Sequence, residues 1–261
     1  MHPALWISKS GLDAQQTDIS VISNNLANVN TTGYKKSRAV FKELMYQKLR
    51  QSGAETTSGN ELNSGLMLGT GVKLVATEKD FGSGSPLRTD NPLDLAILGR
   101  GFFQIQKPDG TTAYTKDGKF STDSSGNIVD SEGRSLIPSI TIPTGSTGIT
   151  IGRDGQVSVS TTGQTSTTVV GTVQLADFIN PAGLEPIGDS LFIETSSSGS
   201  ATVGNADTSG MGSLEQGTLE SSNVNVVEEL VSLIKSQRGY EMNAKSIEAV
   251  DDMLKFISQV L

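Results

Sequence analysis

The stretch "NNLANVNTTGYKK", residues 24–36, interrupts an apolar repeat with four asparagines and a Thr-Thr-Gly, then turns basic. Ahead of it Leu5, Leu12, Ile19 and Leu26 recur every seven residues, and Ile22 and Val29 extend a second line three residues on, as in one strand of a coiled coil. That second line is polar at Ser8 and Gln15, and Gly11 costs about 1 kcal/mol relative to alanine in a helix interior. Such a helix is marginal on its own in water. Asparagine tolerates the left-handed conformation and bonds nearby backbone, so Asn28, Asn30 and Gly33 are placed to end the helix. An ordinary C-cap is the plainer reading, but one cap needs one Asn or Gly. The surplus, with Asn24 and Asn25 on the helix itself, fits lateral packing against further copies.

The other end of the chain carries a second seam. Val226, Leu230, Leu233, Gln237, Tyr240, Ala244, Ile247, Asp251 and Leu254 step by four and three, and Val250, Met253, Ile257 and Val260 widen the apolar face. Asn225 followed three residues later by Glu228 reads as an N-cap with a capping-box acid, with Ser221 and Ser222 as alternative caps one turn earlier, and the helix is expected from about residue 226 to the terminus. Residues 1–50 hold seven Lys/Arg against three Asp/Glu, and residues 215–261 hold eight acids against four bases. The ends are complementary in sign, which favours their meeting.

Between them the period changes to that of strands. "DLAILGRGFFQIQ" (94–106), "SITI" (139–142), "ITIGRDGQVSVS" (149–160), "TVVGTVQLADF" (168–178) and "LFIET" (191–195) are short β-branched or alternating runs punctuated by Asp-Gly, Gly-Asn and Asn-Pro turns. Residues 52–65 and 196–212 are rich in Ser, Gly and Thr and read as long loops or linkers. The expected fold is α+β, with N- and C-terminal helices pairing as a coiled coil and a central turn-rich antiparallel β domain. Its divisions are 1–45, an extended segment 46–69 opening with a helical "YQKLRQ", the β domain 70–215, and 216–261 pairing with 1–45.

Composition narrows the function. A formal net charge of −8 leaves no basic excess for a broad nucleic-acid face, and the run Lys35, Lys36, Arg38 is better read as a partner-facing cluster. No window approaches the roughly 18 apolar residues of a membrane span, and the first residues lack the pattern of a cleavable signal peptide. There is no cysteine, and His2 is the one histidine, so thiolate and multi-histidine metal sites are excluded and a Ser/His/Asp set is barely possible. "DSSGNIVDSEG" (123–133) has Ile128 where a calcium loop needs glycine, and reads as a polar hairpin turn. "GRGFF" lacks the spacing of a dinucleotide loop and reads as a tight turn into a strand. No catalytic residue, cofactor or metal is expected.

Three stretches in order carry a resemblance. "SGLDAQQTDISVISNNLANVNTTGYKK" (10–36), "DLAILGRGFFQIQKPDGTTAYTKDGKFSTDSSGNIVDSEG" (94–133) and "ESSNVNVVEELVSLIKSQRGYEMNAKSIEAVDDML" (220–254) resemble the N-terminal, β-domain and C-terminal signatures of bacterial flagellar rod and hook proteins. The length and the segment "YQKLRQSGAETTSGNELN" (46–63) resemble the distal-rod branch rather than the hook or proximal rod. The resemblance implies a structural subunit, exported through the flagellar type III apparatus without signal cleavage, that builds a hollow helical tube from copies of itself. Implied partners are proximal rod proteins, the hook or hook-base protein, and the ring proteins of the outer membrane and peptidoglycan; no nucleic acid is implied. It also implies that Leu5, Leu12, Ile19, Ile22 and Leu26 pack against Leu230, Leu233, Tyr240, Ile247 and Leu254. Asn24, Asn25, Asn28, Asn30, Asn223 and Asn225 would then serve contacts between subunits. The alternatives are another flagellar axial protein, of the hook or proximal rod, a secreted β-domain adhesin with helical oligomerising ends, and an enzyme. Charge and heptad complementarity within one chain favours self-assembly over the adhesin, and the single histidine and lack of catalytic motifs stand against the enzyme.

Overall fold

The structure, a computed structural model, describes residues 3–50, 55–57, 60–61, 64–161, 167–208 and 210–260. Two long helices flank many short antiparallel strands, which is the α+β arrangement expected. The chain divides into two compact units: residues 1–26, 37–78 and 225–261 form one, and residues 27–36 and 79–224 form the other.

The first unit holds α1 (Pro3–Ala27), α2 (Val226–Val260) and a long hairpin. α2 begins where its cap predicts, because the Asn225 side-chain oxygen accepts the Val227 N–H at 3.1 Å. In the hairpin, strand Ser37–Glu43 pairs with Val72–Lys79 and strand Gln47–Arg50 with Leu66–Leu68, Lys48 lying opposite Met67. The helical opening expected for "YQKLRQ" is thus overturned for Gln47–Arg50, where cross-strand pairing wins over the modest helix propensity of so short a run. Further out, Glu55–Thr57 pairs with Asn60–Glu61 inside what was expected to be a loop; the remainder of 51–63 lies outside the described residues.

The second unit is built around "FFQI". Strand Phe102–Gln106 lies inside a sheet ordered Glu185–Gly188, Leu191–Ile193, Thr112–Thr115, Phe102–Gln106, Gln174–Asp177, Thr202–Asn205. Its side chains alternate between two cores. Phe103 and Ile105 join Leu95, Ile97, Val157, Val159, Val173 and Leu175, while Phe102 meets Tyr114, Phe178, Leu184 and Phe192. The aromatic rings of the second cluster meet edge to face, Tyr114 on Phe178 at 4.8 Å and Phe102 on Phe178 at 5.8 Å. The stretch 196–212 is more ordered than its composition suggests, since Thr202–Asn205 closes the sheet's edge against Gln174–Asp177, and Ala206 and Met211 are buried. Asp123 to Asn127 makes the hairpin turn expected there, the Gly126 N–H donating to the Asp123 carbonyl.

Candidate assembly surface

Helix α1 stops because the chain after it must turn sharply and close against strands. Gly33 has φ +66°, and a Cβ there would sit 2.5 Å from the Asp117 backbone nitrogen, so both conformation and space demand glycine. Its N–H donates to the Glu220 carbonyl at 2.8 Å, and the Thr32 hydroxyl donates to Asp117 at 2.9 Å. Burial pushes the Asp117 carboxyl up, against the opposing Thr32 hydrogen bond.

The basic run that follows divides its work. Lys35 is only 1% exposed, and its ammonium donates to Glu220 at 2.7 Å and to the Gly82 carbonyl at 2.8 Å. Glu220 also accepts the Gly84 N–H at 2.8 Å, and its other oxygen lies 3.9 Å from the Lys116 ammonium. Lys116 donates to the Gly99 carbonyl, and burial lowers its pKa to about 8 despite the attraction of Glu220. Lys36 and Arg38 stay at the surface beside Asp80 and Glu78. The partner-facing cluster read from the sequence therefore loses Lys35, which a nearby acid and buried backbone carbonyls draw inside.

The asparagines are used within the chain to a degree the sequence did not reveal. Asn25 is buried; its amide donates to the Ser37 carbonyl and its oxygen accepts the Ser37 N–H, both at 2.8 Å, so the side chain mimics a strand partner. It also donates to Glu229 of α2 at 3.3 Å. Asn223 does the same for its own neighbourhood, accepting the Lys36 N–H at 2.8 Å and donating to the carbonyls of Asp80 and Gly82. Asn28 accepts the Thr31 hydroxyl at the turn. Asn24, Asn30 and Asn225 lie exposed.

Contacts between α1 and α2 follow one line. Gln15 lies beside Gly239, Gly11 beside Asn243, the Ser236 hydroxyl donates to the Asp18 carboxylate, and Asn25 meets Glu229. Each step back along α1 is matched by an equal step forward along α2, so the helices run antiparallel. The facing residues are polar or small. A Cβ at Gly11 would lie 2.9 Å from Asn243 Nδ2, and one at Gly239 would lie 3.1 Å from Gln15, so the single glycine of each helix admits the partner's amide side chain. Sequence reading charged Gly11 as a cost and missed this use; a lone glycine in each of two weak helices was the available signal.

Of the expected seam, Ile22 is buried, and Leu5, Leu12, Ile19, Leu26, Leu233 and Ile247 are half-buried. Leu230, Tyr240 and Leu254 are exposed. They share that exposure with Trp6, Ile7, Val226, Val231, Ile234, Met242 and Ile257, and with Val227 and Phe256, which are 69% and 68% exposed. The hairpin adds Tyr46, Leu49, Leu66, Met67 and Leu68, and Met45 at 89%. A monomer rarely leaves so much apolar surface together unless something binds it.

Residues 5–35 match the family described as flagella basal body rod protein, residues 96–159 the flagellar hook protein FlgE/F/G D1 domain, and residues 215–260 the flagellar basal body rod FlgEFG protein C-terminal region. The chain is 52% identical over its whole length, and the whole of the relative's, to the flagellar basal-body rod protein FlgG of Buchnera aphidicola subsp. Schizaphis graminum. It is 46% identical, over 98% of each chain, to that of Caulobacter vibrioides, and 36% identical to that of Bacillus subtilis over 98% of this chain and 97% of the relative. The chain belongs to the flagellar basal-body rod protein family. It is a structural rod subunit of the bacterial flagellar basal body, and members of this family assemble with other flagellar components. Its three family regions map onto α1 with its turn, the core of the β unit, and α2. Among the described residues no helix is long and apolar enough to cross a membrane, and no three His, Asp or Glu side chains gather as a metal site.

Proposed function

We propose that the chain forms the distal rod, a hollow helical tube that transmits motor torque to the hook. The observation that carries this reading is the helical unit, where polar pairs join α1 to α2 and many large apolar side chains stay exposed. One chain cannot bury that surface; a tube of copies can. In the tube the expected coiled-coil positions that stay exposed, Leu230, Tyr240 and Leu254, are offered to neighbouring subunits, and exposed Asn24 and Asn225 lie on the same unit, Asn30 on the other. The segment 46–63 bridges neighbouring subunits and supplies extra contacts that keep the structure straight. Proximal rod proteins below, the hook or hook-base protein above, and the outer-membrane and peptidoglycan ring proteins around are the partners this position implies. Two weak helices suit export through the type III apparatus as an unfolded chain with no cleaved signal, crossing to a place in the periplasm.

Electron microscopy of cells lacking the gene tests the assignment. Basal bodies should end at the proximal rod; complete rods bearing hooks and filaments would refute it.

A further inference from the structure

The β unit carries a knob and a hole at the same end of its sheet. Ile179 follows strand Gln174–Asp177 and is 88% exposed, although Phe178 before it is buried in the aromatic cluster. The loop is not loose, since the Asn180 amide donates to the Ser197 carbonyl at 3.0 Å and the Arg100 guanidinium donates to the Phe178 carbonyl at 3.2 Å. An apolar side chain is thus held out in water by well-bonded backbone.

The hole is a cavity of about 260 Å³ walled by Asn28, Tyr34, Lys79, Pro186, Leu191 and Phe192. That is below the roughly 300 to 1,000 Å³ of small-molecule sites and suits a single aliphatic side chain. Both lysines of its lining are already engaged: the Lys79 ammonium lies 4.5 Å over the Tyr34 ring and donates to the Lys35 carbonyl, and the Lys35 ammonium is paired with Glu220. No charge there asks for an anion. The rim is the two-residue turn Asp189-Ser190, in which both residues have positive φ, 53° and 57°, a conformation these residue types adopt at a cost. The turn is braced by the Thr115 hydroxyl donating to the Ser190 carbonyl.

Charge matches across the two features. Beside the knob Arg100 is the more exposed partner of its pair with Asp177, and on the rim Asp189 is far more exposed than Arg134, which it faces. The knob therefore presents a cation and the hole an anion. Leu191, Thr115, Phe103 and Leu175 form one row across the sheet, so rim and knob stand about three strand spacings, or roughly 15 Å, apart. A chain cannot fill its own hole across that span.

We infer that Ile179 of one copy seats in the Tyr34/Lys79/Phe192 cavity of the next, with Arg100 facing Asp189. The contact is head-to-tail, the kind that generates open helical polymers rather than closed dimers. It rests on the self-assembly reading and adds a site in the β unit to the apolar surface of the helical unit.

The chain has no cysteine, which makes cross-linking decisive. Ile179→Cys chains and Asp189→Cys chains, tagged to differ in size, are expressed as minorities in cells that also make the unsubstituted protein. Rods are isolated, oxidised and run on a denaturing gel. Within one chain the two positions are too far apart for a disulfide, which needs Cα atoms about 4.4 to 6.8 Å apart. The expected product is a mixed dimer joining the two tags, absent when either variant is expressed alone. Intact rods that contain both variants but yield no mixed dimer, or yield mainly like-with-like dimers, would overturn the contact and leave self-assembly standing. Failure of the unsubstituted chain to enter rods would instead overturn the assembly reading itself.

Discussion

The two units of this chain solve opposite problems. In the β unit, strand Phe102–Gln106 has both faces covered, and the charges inside are paired, as with Lys35 and Glu220. In the helical unit the line between α1 and α2 includes Gln15, Asp18 and Asn25 against Gly239, Ser236 and Glu229, and although Ile22 and Val250 are buried, many large apolar side chains stay exposed. Hydrophobic burial drives folding at about 25 cal/mol per Å². The β unit collects that energy within one chain, and the helical unit leaves much of it to be collected when copies meet. The polar line sets which residues face each other without making the free helices strong, as a buried polar position does in a coiled coil.

Substitutions with opposite effects on the two units sharpen the contrast, and the largest effect belongs to the helical one. Leu254→Arg changes an exposed side chain of the free chain and should alter its stability by less than about 0.5 kcal/mol. In a polymer the same charge is buried unpaired, so rods should be missing in electron micrographs while the thermal melt of the purified chain is unchanged. Normal rods and swimming would show that this face is not an assembly surface.

Next in size is Lys35→Met, which strands Glu220 in the β unit and should cost about 3 to 5 kcal/mol in urea denaturation followed by circular dichroism. Lys36→Met, one residue on, loses an ion pair open to solvent and should cost no more than about 1 kcal/mol. Equal effects would mean that the basic run is a single surface cluster after all.

A smaller effect comes from pH. Lys116 has its pKa lowered to about 8 by burial, so the unfolded chain holds this proton more tightly than the folded one. Below pH 8 both states are protonated and the full penalty of burying the charge is present; it fades as pH rises from about 8 toward the ordinary lysine value near 10.5. The β unit should gain on the order of 3 kcal/mol across that window relative to a Lys116→Met chain. A flat difference between the two chains would remove the buried-charge account. Smallest is Asn225→Ala, which takes the cap from α2 and should cost about 1 kcal/mol, read as a lower helical signal in the free chain with the β unit's melt unmoved.

Much of this was legible in the sequence because local chemistry decided it. Asn225 starts α2, Asn28 and Gly33 turn the chain after α1, and "FFQI" between turn signals gives the most buried strand. What was hidden depended on partners distant in sequence. Nothing near Lys35 announces Glu220, 185 positions away, so a buried cation looked like a surface one. "YQKLRQ" looked helical because its strand partner, Leu66–Leu68, lies beyond a polar segment. The polar line between the helices was obscured by the stronger heptad of leucines and isoleucines, which marks where apolar residues recur and not which neighbour they meet.

Amide hydrogen exchange, compared between the dilute purified chain and isolated rods, tests the central claim most directly. In the free chain the amides of Phe102–Gln106 should be strongly protected while those of residues 5–30 and of α2 exchange quickly, and in rods all of them should be protected. Full protection of residues 5–30 in the free chain would contradict the account, because the helical unit would then be stable without its neighbours.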